Sequence, residues 1–96
     1  MSKYEFCVIL NAKIEDEERA AELERVKELI TRFGGTVTNV DDWGKKRFAF
    51  EVKKMKEGFY YFIQFDAEPT APVEIESRVR IMENVVRYLC VKQNEA

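Results

Sequence analysis

The side chains best suited to bind a ligand in this 96-residue chain are basic, and they are concentrated in its middle. Residues 44–58 carry six basic and two acidic side chains, whereas residues 1–43 carry six and ten and residues 59–96 carry four and six. The net charge of −2 therefore hides a locally basic segment. Such a segment favours contact with phosphate groups. A lysine-rich hairpin that is only solvated is the alternative.

The residue types that usually carry catalysis are scarce. The chain has no His and only two Ser, Ser2 and Ser77, and its two cysteines, Cys7 and Cys90, do not form a C-x-x-C pair. No Cys, His or carboxylate spacing indicates a metal site. We therefore expect no catalysis, no metal, no cofactor and no small-molecule substrate, and we expect both cysteines to be buried, reduced thiols.

Length and composition predict a single globular domain over residues 1–96, ending in a short polar tail at 93–96. Hydrophobic residues make up 46% of the chain, which is sufficient for a core. No segment approaches the roughly 20 apolar residues of a membrane span, and the N-terminus lacks the apolar stretch of a signal peptide. We expect a cytoplasmic protein with no membrane partner.

Hydrophobic patterns predict four strands. They are expected at residues 4–10, at 36–52 as one long strand with an irregularity near Gly44, at 59–65 and at 85–91. A lysine-rich turn that ends at Gly58 is expected to join the second and third strands into a hairpin.

Two helices complete the pattern. The first is expected to begin in the acidic run 15–18 and to end at Gly34-Gly35, and the second to begin at Thr70 and to continue through Met82 until Asn84. The order β-α-β-β-α-β predicts an α+β, ferredoxin-like fold, in which two helices cover one face of a four-stranded antiparallel sheet.

The other face of this sheet is expected to be apolar. If residues 6, 8 and 10 of the first strand face the helices, alternation places Cys7, Ile9, Tyr60 and Phe62 together on the uncovered side. A monomer rarely leaves such a patch bare, so these four residues are the predicted protein-partner surface. The alternative is that long side chains half-bury the aromatic rings.

Three segments match one family pattern in type and spacing. The first is the run from Gly44 to Lys53, a Gly and basic residues followed by an apolar-Ala-aromatic-x-apolar-basic strand. The second is Glu57-Gly58-Phe59-Tyr60, and the third is the arginine-apolar-x-acid-x-x-x-arginine run between Arg80 and Arg87. In these segments, and in length and element order, the chain resembles protein six of the bacterial small ribosomal subunit.

The resemblance implies a structural ribosomal protein that binds the central domain of small-subunit ribosomal RNA as a heterodimer with the small basic ribosomal protein eighteen. An acidic chain gains little counterion-release affinity alone, so a basic partner would assist it. The first choices for RNA contacts, expected to converge near the ends of strands one and four and of helix two, are Lys3, Tyr4, Arg80, Arg87 and Lys92. The second choices, which alternatively protect a sheet edge, are Lys45, Lys46 and Arg47.

Other functions are compatible with this fold. A free-standing RNA-recognition motif stacks bases on strand-three aromatics, but its spacing requires a small residue at Tyr60 and an aromatic at Gln64. Acylphosphatases share the size and fold, yet the loop 11–14 has neither the Gly nor the Arg that would cradle a phosphate. A detached ligand-sensing regulatory subunit ranks last.

Overall fold

The computed structural model describes residues 2–52 and 55–93, and for residues 50–52 it describes the backbone alone. Its elements are β1 Ser2–Asn11, α1 Asp16–Arg32, β2 Thr36–Val52, β3 Met55–Ala67, α2 Ala71–Val79 and β4 Val85–Lys92. The predicted order and the single long second strand are confirmed. The turn at 53–54 and residues 94–96 of the predicted polar tail lie outside the described residues.

The four strands form one antiparallel sheet in the order β2-β3-β1-β4. β1 and β3 lie in the centre and pair without interruption from Ser2 opposite Ala67 to Asn11 opposite Gly58. β2 and β4 are the two edges. The predicted α+β, ferredoxin-like fold is therefore confirmed.

The core lies between one face of the sheet and the two helices. The fully buried residues of β1 are Phe6, Val8 and Leu10, and those of the helices are Val26, Ile30, Ile75 and Val79. Burying a side chain of this size stabilises the fold by about 1.5–3 kcal/mol. The prediction that alternate residues of β1 face the helices is confirmed.

Two glycines end α1 as predicted. Gly34 has φ +87°, the left-handed conformation that glycine adopts without steric cost. The N–H of Gly34 donates to the carbonyl oxygen of Thr31 at 3.1 Å, and the N–H of Gly35 donates to that of Ile30 at 2.8 Å. These two bonds form a Schellman motif, which satisfies carbonyl groups that the end of a helix leaves without partners.

Two predicted boundaries are wrong. β3 begins at Met55, so Gly58 lies within the strand and not at the end of the turn. A Cβ atom at Gly58 would come within 2.6 Å of a methyl carbon of Ile9, so this glycine serves close packing. The second helix ends at Val79, and Met82 lies in the turn that follows.

Replacement of Gly34 tests the left-handed cap. Gly34→Ala should lower the free energy of unfolding by about 1 kcal/mol, because an added Cβ disfavours this conformation. Gly34→Asn is the matched control and should cost less, because Asn tolerates the left-handed region better. Urea denaturation measures both, and equal losses for the two variants would contradict the cap.

Candidate protein and RNA interface

The face of the sheet opposite the helices carries the predicted apolar patch. Cys7 pairs with Phe62 and Ile9 pairs with Tyr60 across β1 and β3, so the four side chains lie next to one another. Their expected grouping is confirmed. Cys7, Tyr60 and Phe62 are half-buried, whereas Ile9 is only 7% exposed because its side chain packs over Gly58.

Three further residues enlarge this patch. Leu89 lies opposite Cys7 and is 60% exposed, and Val91 lies opposite Glu5 and is 44% exposed. The indole of Trp43 is 57% exposed and its centroid lies 4.6 Å from that of the Phe62 ring. We call the combined surface the open-face patch, and its residues are Cys7, Ile9, Trp43, Tyr60, Phe62, Leu89 and Val91.

A local irregularity in β2 occurs at Trp43, which lies in the open-face patch. The pairing with β3 shifts between Asp42 and Gly44, so that Trp43 is an extra residue in the strand. Gly44 has φ +74°, and its N–H donates to Oδ1 of Asp42 at 2.9 Å. The predicted irregularity near Gly44 is confirmed. Asp41 lies opposite Phe62 on the open face, so alternation from Asp41 also places Trp43 there, and the irregularity changes the phase only for the residues that follow it. Leu89 and Val91 could have been found by alternation within β4.

The other half of the open face is polar. The Gln64 side-chain amide donates to Oε2 of Glu5 at 2.7 Å, and the Asn39 amide donates to Oε1 of Gln64 at 3.0 Å and to Oδ1 of Asp41 at 3.1 Å. Lys3 and Asp66, which lie opposite each other, are the next pair on the same face of the sheet. The open face therefore divides into an apolar half and a hydrogen-bonded half that contains carboxylates.

The two cysteines lie on opposite faces of the sheet. Both are free, as predicted, but each is half-buried and not buried as expected. Burial and the nearby Glu76 raise the pKa of Cys90 to about 11. Burial and Glu5 raise the pKa of Cys7, and the positive charge of Arg87 acts against this shift. Both groups are predominantly thiols at neutral pH.

The first-choice basic residues do not converge at one point, so that expectation is wrong. Tyr4 lies opposite Lys92, whereas Ile9 lies opposite Arg87. Because a strand rises about 3.4 Å per residue, Arg87 and Lys92 lie about 17 Å apart along β4. Lys3 and Lys92 mark one end and Arg87 the other. Arg80 ends α2 on the helix side of β4, where it lines a small cleft.

Tyr4 belongs to the core. Its side chain is 6% exposed, and its ring stacks on that of Phe65 with the centroids 5.5 Å apart and the planes inclined by 25°. Tyr4 belongs to the set that alternates with the open-face residues of β1, which explains this burial. The ring is therefore not displayed for stacking on an RNA base.

The second-choice basic residues alternate between the two faces of the hairpin. Lys46 lies opposite Gly58 and shares the open face with Tyr60, whereas Lys45 and Arg47 project on the helix side. All three are exposed. Lys45 lies opposite Phe59, and its Nζ is 5.9 Å from the centre of that ring.

The described side chains and helices offer neither a metal site nor a membrane span. Among the side chains of residues 2–49 and 55–93, no group of three or more His, Cys, Asp or Glu could hold a metal ion. No helix in this part of the chain combines the length and apolar character needed to cross a membrane.

The fold defines a ferredoxin-like domain with an uncovered sheet face, and the comparisons with known proteins specify its family. The model of the family described as ribosomal protein S6 matches residues 3–92. Small ribosomal subunit protein bS6 from Clostridium kluyveri is 42% identical over 95 residues, covering 99% of this chain and 100% of that protein. The protein of the same name from Desulforamulus reducens is 37% identical with the same coverage.

A solved structure agrees with this assignment. The crystal structure of 30S ribosomal protein S6 from Thermotoga maritima matches with a TM-score of 0.92 and 30% identity, covering 96% of this chain and 87% of that one. The chain belongs to the ribosomal protein S6 family.

Two alanine variants test the division between core and open face. Tyr4→Ala should lower the free energy of unfolding by about 3 kcal/mol, because it empties a buried site. Phe62→Ala should cost less than half of that, since its ring is half-buried under Trp43 and not under a helix. Urea titration of the isolated chain measures both. Equal losses would place Phe62 in the core.

Proposed function

We propose that this chain is a structural component of the small ribosomal subunit that binds the central domain of small-subunit ribosomal RNA together with small ribosomal protein eighteen. The open-face patch is the observation that carries the proposal, because it is exposed apolar surface on a domain whose family is ribosomal. The names of the bS6 relatives assign those proteins to the small ribosomal subunit. The site of action is the ribosome, in the cytoplasm.

The protein partner covers the open-face patch in this proposal. Trp43 and Leu89 each leave more than half of their surface in water, and contiguous apolar surface of this kind marks protein interfaces. The predicted partner residues Cys7, Ile9, Tyr60 and Phe62 lie at its centre, where contacts contribute most to affinity.

The charge of the chain supports a basic partner. Glu5 and Asp66 lie in the half of the open face beyond the patch, and the chain carries a net charge of −2. A basic protein such as ribosomal protein eighteen is complementary to this surface, and the pair presents more positive charge to RNA than this chain alone. Residues that remain proposed RNA contacts are Lys3, Arg80, Arg87, Lys92, Lys45, Lys46 and Arg47.

The proposed role is binding and assembly, not catalysis. The matched family is one of structural ribosomal proteins. The chain has no His to act as a general base near neutral pH, and the pKa values of both thiols are raised, which disfavours the nucleophilic thiolate.

One observation favours a second candidate, a free-standing single-stranded RNA-binding module. Tyr60 and Phe62 lie on the open face of a central strand, the position from which RNA-recognition motifs stack bases. On β1, however, the residues beside them are Cys7 and Ile9, which offer no aromatic ring. The partner-dependent function therefore has the stronger support.

Sedimentation of a cell lysate distinguishes the two functions. A tagged chain should move with the small ribosomal subunit and should leave that fraction together with ribosomal protein eighteen after ribonuclease treatment. Recovery with heterogeneous RNA outside the ribosomal fractions would favour the free-standing module and contradict the proposal.

Alkylation of the two cysteines maps the partner surface with an internal control. Cys7 lies in the open-face patch, whereas Cys90 lies on the neighbouring strand, on the side of the sheet that the helices cover. Bound ribosomal protein eighteen should therefore slow the modification of Cys7 by iodoacetamide several-fold. The rate of modification of Cys90 should be unchanged. Both rates should rise with pH, because the thiolate reacts and burial raises both pKa values. Mass spectrometry of the purified heterodimer separates the two sites. Formation of the heterodimer without protection of Cys7 would move the partner to another surface.

A further inference from the structure

Two exposed cations lie at the same end of the open face although they belong to opposite edges of the sheet. Arg87, Ile9, Tyr60 and Gly44 face one another in turn across β4, β1, β3 and β2. Lys46 is two residues beyond Gly44 and projects on the same face. The fold thus brings together two residues that are 41 positions apart in the sequence.

The orientation of the hairpin distinguishes Lys46 from its basic neighbours. Lys46 is opposite Gly58, which has no side chain, and therefore has no carboxylate facing it. Arg47 projects on the other face and is opposite Glu57. Lys45 also projects on the other face, toward the ring of Phe59. Lys46 is the basic residue of this group that is displayed beside the open-face patch.

The two ends of the open face differ in whether carboxylates lie in the same rows as the basic residues. The rows that hold Arg87 and Lys46 contain no acidic residue, since their other members are Ile9, Tyr60, Gly44, Asn11 and Gly58. The adjoining row holds one carboxylate, that of Asp41 on β2, which accepts a hydrogen bond from the Asn39 amide. At the far end, Lys3 faces Asp66, and Glu5 lies in the adjoining row. A phosphate group is therefore attracted to the Arg87 and Lys46 end, whereas the carboxylates offset the attraction at the far end.

We propose that Arg87 and Lys46 form one strip that binds the RNA backbone across the end of the open sheet face, directly beside the protein-partner surface. This inference rests on the function proposed above and deepens it. Three strand spacings separate the two edges, about 14 Å in all, a distance that one segment of RNA can span. Lys45 and Arg80 lie outside the strip because they project on the helix side of the sheet.

The strip adjoins the open-face patch without a gap. Ile9 and Tyr60 lie in the Arg87 row and are also members of the patch. A protein bound on the patch therefore borders the RNA that the strip holds, so the two ligands can contact each other along this row. Arginine supplies the paired donors that suit phosphate oxygens, and lysine supplies a point charge.

A salt titration of the heterodimer with ribosomal protein eighteen, bound to a central-domain fragment of small-subunit ribosomal RNA, tests the strip. Arg87→Ala and Lys46→Ala should each weaken binding and reduce the slope of log affinity against log salt by about one, and the double variant by about two. Lys45→Ala is the matched comparison, a lysine of the same strand on the other face, and should reduce the slope less than Lys46→Ala does. Arg80→Ala is the second comparison, and should reduce the slope less than Arg87→Ala does.

The outcomes separate this inference from the proposed function. Failure of the unaltered heterodimer to bind the RNA fragment would overturn both. Binding by the unaltered heterodimer with no change of slope for Lys46→Ala, or with equal changes for Lys45→Ala and Lys46→Ala, would overturn the strip alone. Heterodimer formation and thermal unfolding should be unchanged in all four single variants, because each replaced side chain is exposed.

Discussion

The packing of two helices against one face of the sheet is the constraint from which the rest of the structure follows. Phe6, Ile63 and Ile75 are fully buried where the helices and strands meet. Because side chains alternate along a strand, this burial commits the intervening residues of β1 and β3 to the open face. The helices also leave that face uncovered, since their own apolar sides are already in use. The apolar residues that remain there are available to another molecule.

The backbone irregularity at Gly44 shows how a small departure from regular structure shapes a binding surface. One extra residue in β2 changes which side chains face the helices beyond that point. Trp43 lies beside Phe62 at this point, and Lys46, which follows the extra residue, is brought to the face that also displays Arg87. Without the extra residue, the basic hairpin would present the opposite set of side chains on the open face. The irregularity therefore places Lys46 on the same face of the sheet as the open-face patch.

Charge is separated on a surface that is acidic overall. Carboxylates occupy the start of α1 and the polar half of the open face, while basic residues are displayed at the hairpin end. Attraction to RNA in such a molecule is local, because carboxylates elsewhere are screened beyond about 8–10 Å at moderate salt. A basic protein bound to the same face would extend the positive region. The proposed heterodimer would therefore attract RNA more strongly than this chain alone.

Local pattern by itself determined the element order, the fold class, the glycine cap of α1 and the grouping of Cys7, Ile9, Tyr60 and Phe62, because alternation and helical spacing are properties of neighbouring residues. Three apolar residues of the patch were missed. Trp43, Leu89 and Val91 lie on the two edge strands, β2 and β4, outside the central pair of strands from which the patch was predicted. Only the tertiary structure decided that Tyr4 is in the core, that Lys3 and Arg87 are at opposite ends of the sheet, and that Arg87 and Lys46 share one end. Such proximity depends on strand order and register, which arise from the simultaneous packing of the whole chain and are not encoded in any one segment.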